Sequence, residues 1–321
     1  MKVSIIVPLY NKKNYIKSTI KSVLSQTFND WELLIVDNGS TDGSIEEAKT
    51  IKDTRVKYLI SPIRGVCAAR NYGLNFAKGE WIQFLDADDL LETSHLSNML
   101  EVAECHPHAD IIACGWQEFI DDLPDKRVVK RPIGENTDSK LLRDGAIAYA
   151  PWAVHAALIK RITMTPDNYW PVTLDNYLAE DTVFWFNLIT QFSVAYCNSA
   201  GALYRLQTNG RSQGNHSIEW YRGVDFAIKY NVNLLKQKNK TITLSQAEIL
   251  TSIYTGLCRF SIENQLFHLT DELSIEATIW LNMCLNISSE LKISFLLRKI
   301  FGIRFFAYIE IYLLSLWRTF L

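Results

Sequence analysis

Residues 81–89 read Trp-Ile-Gln-Phe-Leu-Asp-Ala-Asp-Asp, so an apolar run leads directly into an acidic cluster. The apolar run, residues 81–85, predicts a short buried strand. Carboxylates crowded at the end of a strand repel one another and are costly to desolvate unless a cation joins them. Hard oxygen ligands suit Mg²⁺ or Mn²⁺, which also bridge phosphate oxygens. From spacing alone, a solvated turn with one Asp capping the next helix is an equal alternative.

Strand and helix patterns alternate on both sides of this stretch. Further apolar strands are predicted at residues 3–10, 31–36, 56–60 and 111–114. The helical pattern between the first two comes from Ile16, Ile20, Val23 and Leu24, and Ser44 with Glu47 resembles a capping box that opens the next helix. Continuously apolar strands joined by helices predict an α/β fold, with a mostly parallel, Rossmann-like sheet covered by helices. The chain reads as helical from about residue 216.

Several polar or aromatic residues stand where the predicted strands end. Pro8 and Tyr10 close the first strand, Asp37 closes the second, and Asp86 follows the fourth. Ligands of parallel α/β sheets bind beyond the carboxyl ends of the strands, so these residues are expected to line one crevice. By itself, the segment after Asp37 predicts only an Asx-type turn. Beside the other strand ends, Asp37 can accept a hydrogen bond from the imide N–H of a base.

Composition limits the function in a few respects. Of 321 residues, 48% are apolar and 21% are charged, which is typical of a globular protein. A net charge of -2 gives no global reason to expect nucleic acid as a partner. The six cysteines show neither a CxxC pair nor zinc-like spacing, which indicates reduced thiols in the cytosol. The chain begins with a strand pattern rather than with the charged and apolar regions of a secretory signal.

Five ordered blocks identify a family resemblance. They are residues 3–11 (VSIIVPLYN), 25–27 (SQT), 32–42 (ELLIVDNGSTD), 65–73 (GVCAARNYG) and 84–89 (FLDADD). Together they closely resemble the family 2 glycosyltransferases, which are inverting enzymes of the GT-A fold. The resemblance covers residues 1–115 strongly and continues in patches to about residue 212. It implies a nucleotide-sugar-binding half at 1–115, an acceptor-side half at 116–215 and a helical C-terminal region at 216–321.

The resemblance assigns roles to individual residues. Donor-binding positions are implied at Pro8, Tyr10, Asp37, Arg70 and Asp86. In this set, Pro8 and Tyr10 would line the base pocket, Asp37 would bond a uracil-type base, and Asp86 would face the ribose. Asp88 would bind the divalent metal, Mn²⁺ or Mg²⁺.

The segment Ala179-Glu180-Asp181-Thr182 resembles the family block whose Asp is the catalytic base. Asp181 is therefore predicted to be the base, although the residues alone favour an N-cap carboxylate. Glu180 and Trp152 are candidate acceptor contacts. For Trp152, burial in the core is an equal alternative.

One position departs from the family pattern. Gln207 stands where many relatives have a His that contacts the metal or pyrophosphate. Three nearby groups are candidates to compensate for it: Arg205, Arg211 and His216.

Residues 292–321 are apolar and basic. Their longest nearly uncharged stretch, 305–317, would cover only ~20 Å as a helix, which is short of the ~30 Å hydrocarbon core. An interfacial helix on the anionic cytoplasmic leaflet of the inner membrane fits this pattern better. The alternative is a helix packed on protein. Membrane attachment would suit a lipid-linked acceptor.

The sequence therefore predicts an enzyme that moves a hexose or N-acetylhexosamine from a UDP-sugar to a saccharide. The acceptor is expected to be lipid-linked, in cell-surface polysaccharide synthesis (O-antigen, capsule or lipooligosaccharide). A nucleotidyltransferase or a dehydrogenase is disfavoured, because neither GxGxxG nor a Gly-rich loop with Lys follows the first strand. A non-catalytic sugar-nucleotide-binding or scaffold protein is the remaining alternative.

Overall fold

The computed structural model describes residues 1–120, 123–130, 139–175, 177–206, 218–287, 298, 302–308 and 311. Its strands are β1 Val3–Leu9, β2 Trp31–Asp37, β3 Val56–Ile60, β4 Trp81–Phe84, β5 Leu90–Leu91, β6 Ile111–Ile120, β7 Leu123–Lys130, β8 Ala157–Lys160 and β9 Val194–Arg205. Its helices are α1 Lys13–Leu24, α2 Ser44–Lys49, α3 Val66–Phe76, α4 His95–Cys105, α5 Ser139–Gly145, α6 Glu180–Ile189, α7 Ile218–Gln237, α8 Leu244–Glu263 and α9 Phe267–Ile287. Three short 3-10 turns lie between β8 and α6.

The strands form one mixed sheet in the order β3-β2-β1-β4-β8-β6-β9-β5, with β7 paired to β6. The first four strands of this order are mutually parallel, as the alternating strand and helix pattern predicts. Strand β8 enters antiparallel between β4 and β6. The predicted α/β sheet is therefore present, and its second half mixes both strand directions.

The parallel half is buried on both faces. Every residue of β1 and β2 is buried, which explains why these strands read as continuous apolar runs rather than as an alternating pattern. Helix α1 covers the sheet through one face, made of Ile16, Thr19, Ile20 and Val23. Apolar burial on this scale is the main stabilising contribution to the fold.

Two local predictions need correction. Ser44 is the first residue of α2 rather than its cap; Gly43 is the N-cap, with φ +86°, and no capping box forms. The Ser44 hydroxyl instead accepts a hydrogen bond from the backbone N–H of Lys12, at 2.7 Å. Strand β6 also runs beyond the predicted residues 111–114, because its second half pairs with β7 and β9.

The chain packs as two units. One contains residues 1–138 and 150–227, and therefore the sheet; the other contains residues 139–149 and 228–321. In the second unit α8 begins with a complete capping box, in which Thr243 and Gln246 exchange hydrogen bonds. Within the described residues, no helix is both long enough and apolar enough to cross a membrane. The predicted interfacial segment, 292–321, lies mostly outside the described residues.

Candidate functional site

The carboxyl ends of β1, β2 and β4 meet along one edge of the sheet. Leu9 pairs with Asp37 across β1 and β2, and Ile6 pairs with Phe84 across β1 and β4. The residues that follow these ends therefore share that edge, as the sequence predicted. Tyr10 is 50% exposed there, which leaves its ring available to a ligand. Pro8 is buried within β1.

Asp37 begins a turn that orients its carboxylate. Its Oδ1 accepts a hydrogen bond from the Ser40 N–H at 3.2 Å, and its backbone carbonyl accepts one from Ser61 N–H at 2.8 Å. The Asp37 carboxylate thus closes a turn across three residues, one more than in an Asx-turn. Within the described residues, Oδ2 of Asp37 has no hydrogen-bond partner, so it is available to a donor group of a ligand.

The three carboxylates of the acidic cluster have different partners. Asp86 Oδ1 accepts a hydrogen bond from Arg70 Nη2 at 2.8 Å. Asp88 Oδ2 lies 2.5 Å from the Lys12 ammonium. Asp89 is buried, and its carboxylate accepts a hydrogen bond from the backbone N–H of Arg205. The cluster therefore offers two carboxylates to a ligand, Asp86 and Asp88, rather than three.

Arg70 joins the acidic cluster to the start of α6. Its guanidinium is 2% exposed, bonds Asp86, and lies 3.6 Å from Glu180 Oε1. It also stacks 4.0 Å above the ring of Trp170. Burial lowers the pKa of Arg70, but Asp86 and Glu180 raise it more, so the guanidinium stays charged. In this conformation Arg70 positions acidic residues and is itself enclosed by protein.

Asp181 lies in the first turn of α6, whose N-cap is Ala179. The N-cap alternative for Asp181 is therefore wrong, although its charge still interacts favourably with the positive end of the helix dipole. Its Oδ1 accepts a hydrogen bond from the Thr182 N–H at 2.8 Å. Burial raises the pKa of Asp181, the Thr182 N–H and Arg70 oppose this, and Asp86 adds to it. Asp181 is thus electrostatically coupled to the acidic cluster.

Asp89 has a structural role that the sequence did not indicate. Its Oδ1 accepts a hydrogen bond from the backbone N–H of Arg205 at 2.8 Å, and its Oδ2 lies 3.1 Å from His155 Nδ1. Burial, with Asp88 and Asp86 nearby, raises the pKa of Asp89 well above its usual range. Burial lowers the pKa of His155 to about 4, so its imidazole is neutral at neutral pH. Asp89 caps no helix, since the N-cap of α4 is Ser94.

Trp152 is 1% exposed and packs edge-on against Trp185, with ring centroids 5.2 Å apart. The ring of Tyr196 also packs edge-on against Trp152, with ring centroids 6.4 Å apart. This geometry favours the core alternative for Trp152. A ring enclosed in this way cannot stack on a sugar without rearrangement, so the acceptor contact predicted for Trp152 has no support from the packing.

The residues present fit a divalent cation that shares its ligands with a phosphate group. Mg²⁺ in such sites is held by one or two carboxylates and by substrate phosphates. Asp88 supplies such a carboxylate, and the partly exposed Asp86 is left for the rest of the donor. Within the described residues, no group of three or more acidic, His or Cys side chains forms a ligand set without a substrate.

The compensating residues proposed around Gln207 are only partly described. Gln207, Arg211 and His216 lie outside the described residues. Arg205 is described, and its Nε donates to the backbone carbonyl of Asp88 at 2.6 Å. Its guanidinium also lies 4.7 Å from the centroid of the Phe119 ring. Arg205 thus fixes the backbone beside the predicted metal ligand.

Sequence reasoning missed two residues that contact the acidic cluster, Lys12 and His155. Lys12 carries a recognisable signal, since it follows the end of β1 by three residues. His155 carries none, because its contact with Asp89 depends on the antiparallel insertion of β8 into the sheet.

In amino-acid sequence, known proteins resemble the chain mainly in its first half. Residues 4–158 match the family model described as glycosyl transferase family 2. A Rickettsia conorii protein named uncharacterized glycosyltransferase is 45% identical over 105 residues, which are 32% of this chain and 17% of that protein. The Escherichia coli protein WfaP, named a UDP-Glc:alpha-D-GlcNAc-diphosphoundecaprenol beta-1,3-glucosyltransferase, is 41% identical over 103 residues, 32% of this chain and 41% of WfaP. The match thus spans less than half the length of either relative.

Among solved structures, S. aureus TarS 1-349 in complex with UDP-GlcNAc superposes with a TM-score of 0.60. The superposition covers 91% of this chain and 94% of that one, at 16% sequence identity. At such low identity the likeness establishes the fold alone.

Proposed function

We propose that this chain, which belongs to glycosyl transferase family 2 through residues 4–158 and has the GT-A fold, is an inverting glycosyltransferase. It transfers a hexose or N-acetylhexosamine from a UDP-sugar to a saccharide acceptor. The observation that carries the proposal is the bridge formed by Arg70, which bonds Asp86 at the donor side and lies against Glu180 beside the predicted base. This contact supports a single site for the residues predicted to bind the donor and the residue predicted to be the base.

In the proposed reaction the acceptor hydroxyl attacks the anomeric carbon of the donor. Asp181 takes the hydroxyl proton as the new C–O bond forms, and the bond between the anomeric carbon and the diphosphate oxygen breaks. This single displacement inverts the anomeric configuration. A carboxylate whose pKa is raised by burial is a better proton acceptor than a solvated one, which suits Asp181 to this role.

The donor is proposed to bind along the strand ends. Asp37 accepts the imide N–H of the uracil, the ring of Tyr10 and the backbone at Pro8 line the base, and Asp86 faces the ribose. A divalent metal, Mg²⁺ or Mn²⁺, would be held by Asp88 and would neutralise negative charge on the leaving diphosphate. The name of WfaP, with its UDP-glucose donor, supports the choice of nucleotide.

The acceptor is proposed to be a lipid-linked saccharide in surface-polysaccharide synthesis. WfaP is named for an acceptor carried on diphosphoundecaprenol, and its aligned region is 41% identical to this chain. The apolar and basic segment 292–321 supports peripheral attachment at the cytoplasmic face of the inner membrane. Sedimentation with anionic vesicles tests this attachment; a protein that stays in solution contradicts it.

The decisive experiment is a panel of UDP-sugars assayed for UDP release with and without Mn²⁺. We expect one donor to be turned over in a metal-dependent reaction. Binding of UDP without turnover of any donor, in the presence of a range of lipid-linked acceptors, would favour a binding protein. If no UDP-sugar binds, the proposed base pocket at Asp37 is wrong.

A further inference from the structure

Lys12 forms an ion pair with Asp88, the carboxylate that the proposed function assigns to the metal. Its ammonium lies 2.5 Å from Asp88 Oδ2, and the two side chains are only 14% and 15% exposed. Lys12 is the N-cap residue of α1, and its backbone N–H is held by the Ser44 hydroxyl. The backbone of Lys12 is therefore fixed at the rim of the crevice, while its four-carbon side chain can change direction.

The acidic cluster is already neutralised by side chains of the protein. Asp86 pairs with Arg70, and Asp88 pairs with Lys12. A divalent cation that reaches Asp88 must compete with an ammonium bound at the same oxygen. If the metal arrived alone, the displaced ammonium would be left partly buried without a counter-charge, which is unfavourable.

A diphosphate removes this penalty. It would bring negative oxygens to the edge of the sheet, which could serve as further ligands for a metal held by Asp88 and as partners for the displaced ammonium. Metal and nucleotide would then strengthen each other's binding, and this coupling is reciprocal by thermodynamic linkage.

We propose that Lys12 is a displaceable counter-ion of Asp88. In the donor-free protein it holds the carboxylate; when donor and metal bind, it yields Asp88 to the metal and pairs with the donor diphosphate. This inference rests on the proposed function, because it takes Asp88 as the metal ligand and a nucleoside diphosphate as the donor group. It makes Lys12 a positioning and donor-binding residue.

The test is Lys12→Met, which keeps much of the apolar side chain and removes the charge. Mn²⁺ binding to the nucleotide-free protein is measured by electron paramagnetic resonance, and UDP binding at saturating Mg²⁺ by calorimetry. We expect Mn²⁺ to bind about tenfold more tightly and UDP about tenfold more weakly, within the usual range of coupling between sites. A variant damaged in its fold would weaken both, so the opposite signs are diagnostic.

Lys13→Met is the matched control. Lys13 is adjacent and exposed, and its ammonium lies near Gly43 rather than at the acidic cluster. The Lys13→Met variant is expected to bind both ligands like the wild type. Lys12→Arg, which keeps the charge, is also expected to bind them with affinities close to those of the wild type. Asp88→Asn should abolish Mn²⁺ binding; binding that persists overturns the inference, because the metal then lies elsewhere.

Failure of the inference and failure of the proposed function give different results. If the wild type binds UDP with Mg²⁺ but Lys12→Met behaves like Lys13→Met, only the role of Lys12 is refuted. If the wild type binds no uridine nucleotide at all, the proposed function fails. The nucleotide-free Mn²⁺ measurement still decides in that case whether Lys12 competes for Asp88.

Discussion

At the scale of single residues, two opposing influences act on the carboxylate of Asp181. Burial raises its pKa, while the Thr182 N–H and the Arg70 guanidinium lower it, and burial has the larger effect. A general base is most effective when its pKa approaches the working pH. Arg70 and the Thr182 N–H limit the rise, which favours the ionised form that the proposed role as base requires.

Replacement of the base tests this directly. Asp181→Asn keeps the size of the side chain but removes the proton acceptor, so kcat is expected to fall by about 10²–10⁴. UDP binding, measured by calorimetry, should be unchanged, because Asp181 is assigned no donor contact. Asp167→Asn, at an exposed position before α6, serves as the control and should retain full activity. Near-wild-type turnover by Asp181→Asn would refute the assignment.

The pH profile of the enzyme supplies a second residue-scale prediction. Only the ionised form of Asp181 can accept a proton, so kcat/KM is expected to fall as the pH drops through the pKa of Asp181. Because burial raises that pKa, the acidic limb should lie above the ordinary range for an aspartate. Initial rates across a pH series give the midpoint, and UDP affinity at each pH checks for loss of fold. A flat acidic limb contradicts the prediction.

At the scale of elements, α3 begins with an unusual cap. Its N-cap residue, Gly65, has no side chain that could cap it. Asp175, which is distant in sequence, instead accepts hydrogen bonds from the N–H groups of Cys67 at 2.6 Å and Ala68 at 3.3 Å. Gly65 makes room for this carboxylate, since a Cβ there would lie 2.0 Å from Asp175 Oδ2. The segment that leads into α6 is thereby attached to the helix that carries Arg70.

Loss of this cap should destabilise the sheet-containing unit. Asp175→Ala leaves N–H donors of α3 without their carboxylate partner, at an expected cost of about 1–2 kcal/mol in the free energy of unfolding. Urea unfolding monitored by tryptophan fluorescence measures it. Asp167→Ala, an exposed acid nearby, is the control and should change stability by less than about 0.5 kcal/mol. Equal effects of the two substitutions would show that the Asp175 contacts contribute nothing.

The elements also show which features sequence reasoning can reach. Strands β1, β2 and β4 and helix α1 were predictable, because burial on both faces or on one face gives a regular apolar pattern. Ser44 was misread as a cap because its hydroxyl bonds the backbone of Lys12, which lies 32 residues away in sequence. The length of β6 was underestimated because its second half pairs with β7 and β9, and this pairing leaves no regular apolar pattern in the local sequence.

At the scale of the whole molecule, local sequence pattern indicates the candidate residues, whereas their contacts depend on residues distant in sequence. Asp37, Asp86 and Asp88 were predictable, because ordered motifs place them at strand ends. Their contacts were not: Lys12 pairs with Asp88 from 76 residues away, which depends on β1 and β4 lying side by side. The contact of His155 with the neighbouring Asp89 depends on β8 inserting antiparallel. Physical pattern therefore predicted the edge of the sheet, and the structure supplied the contacts along it.

Because the chain packs as two units, we expect donor binding to slow hydrogen exchange in one unit and not in the other. The proposed UDP site lies entirely in the unit of residues 1–138 and 150–227. A ligand that binds only the folded state at 100 times its Kd adds about 2.7 kcal/mol of stability. In hydrogen exchange, UDP with Mg²⁺ should therefore slow exchange in peptides from β1, β2 and β4. Peptides from α8 and α9 should exchange as before, and Asp37→Ala should lose the effect. Equal protection of both units would mean that they unfold as one cooperative body, because ligand stabilisation then reaches every amide that exchanges only by global unfolding.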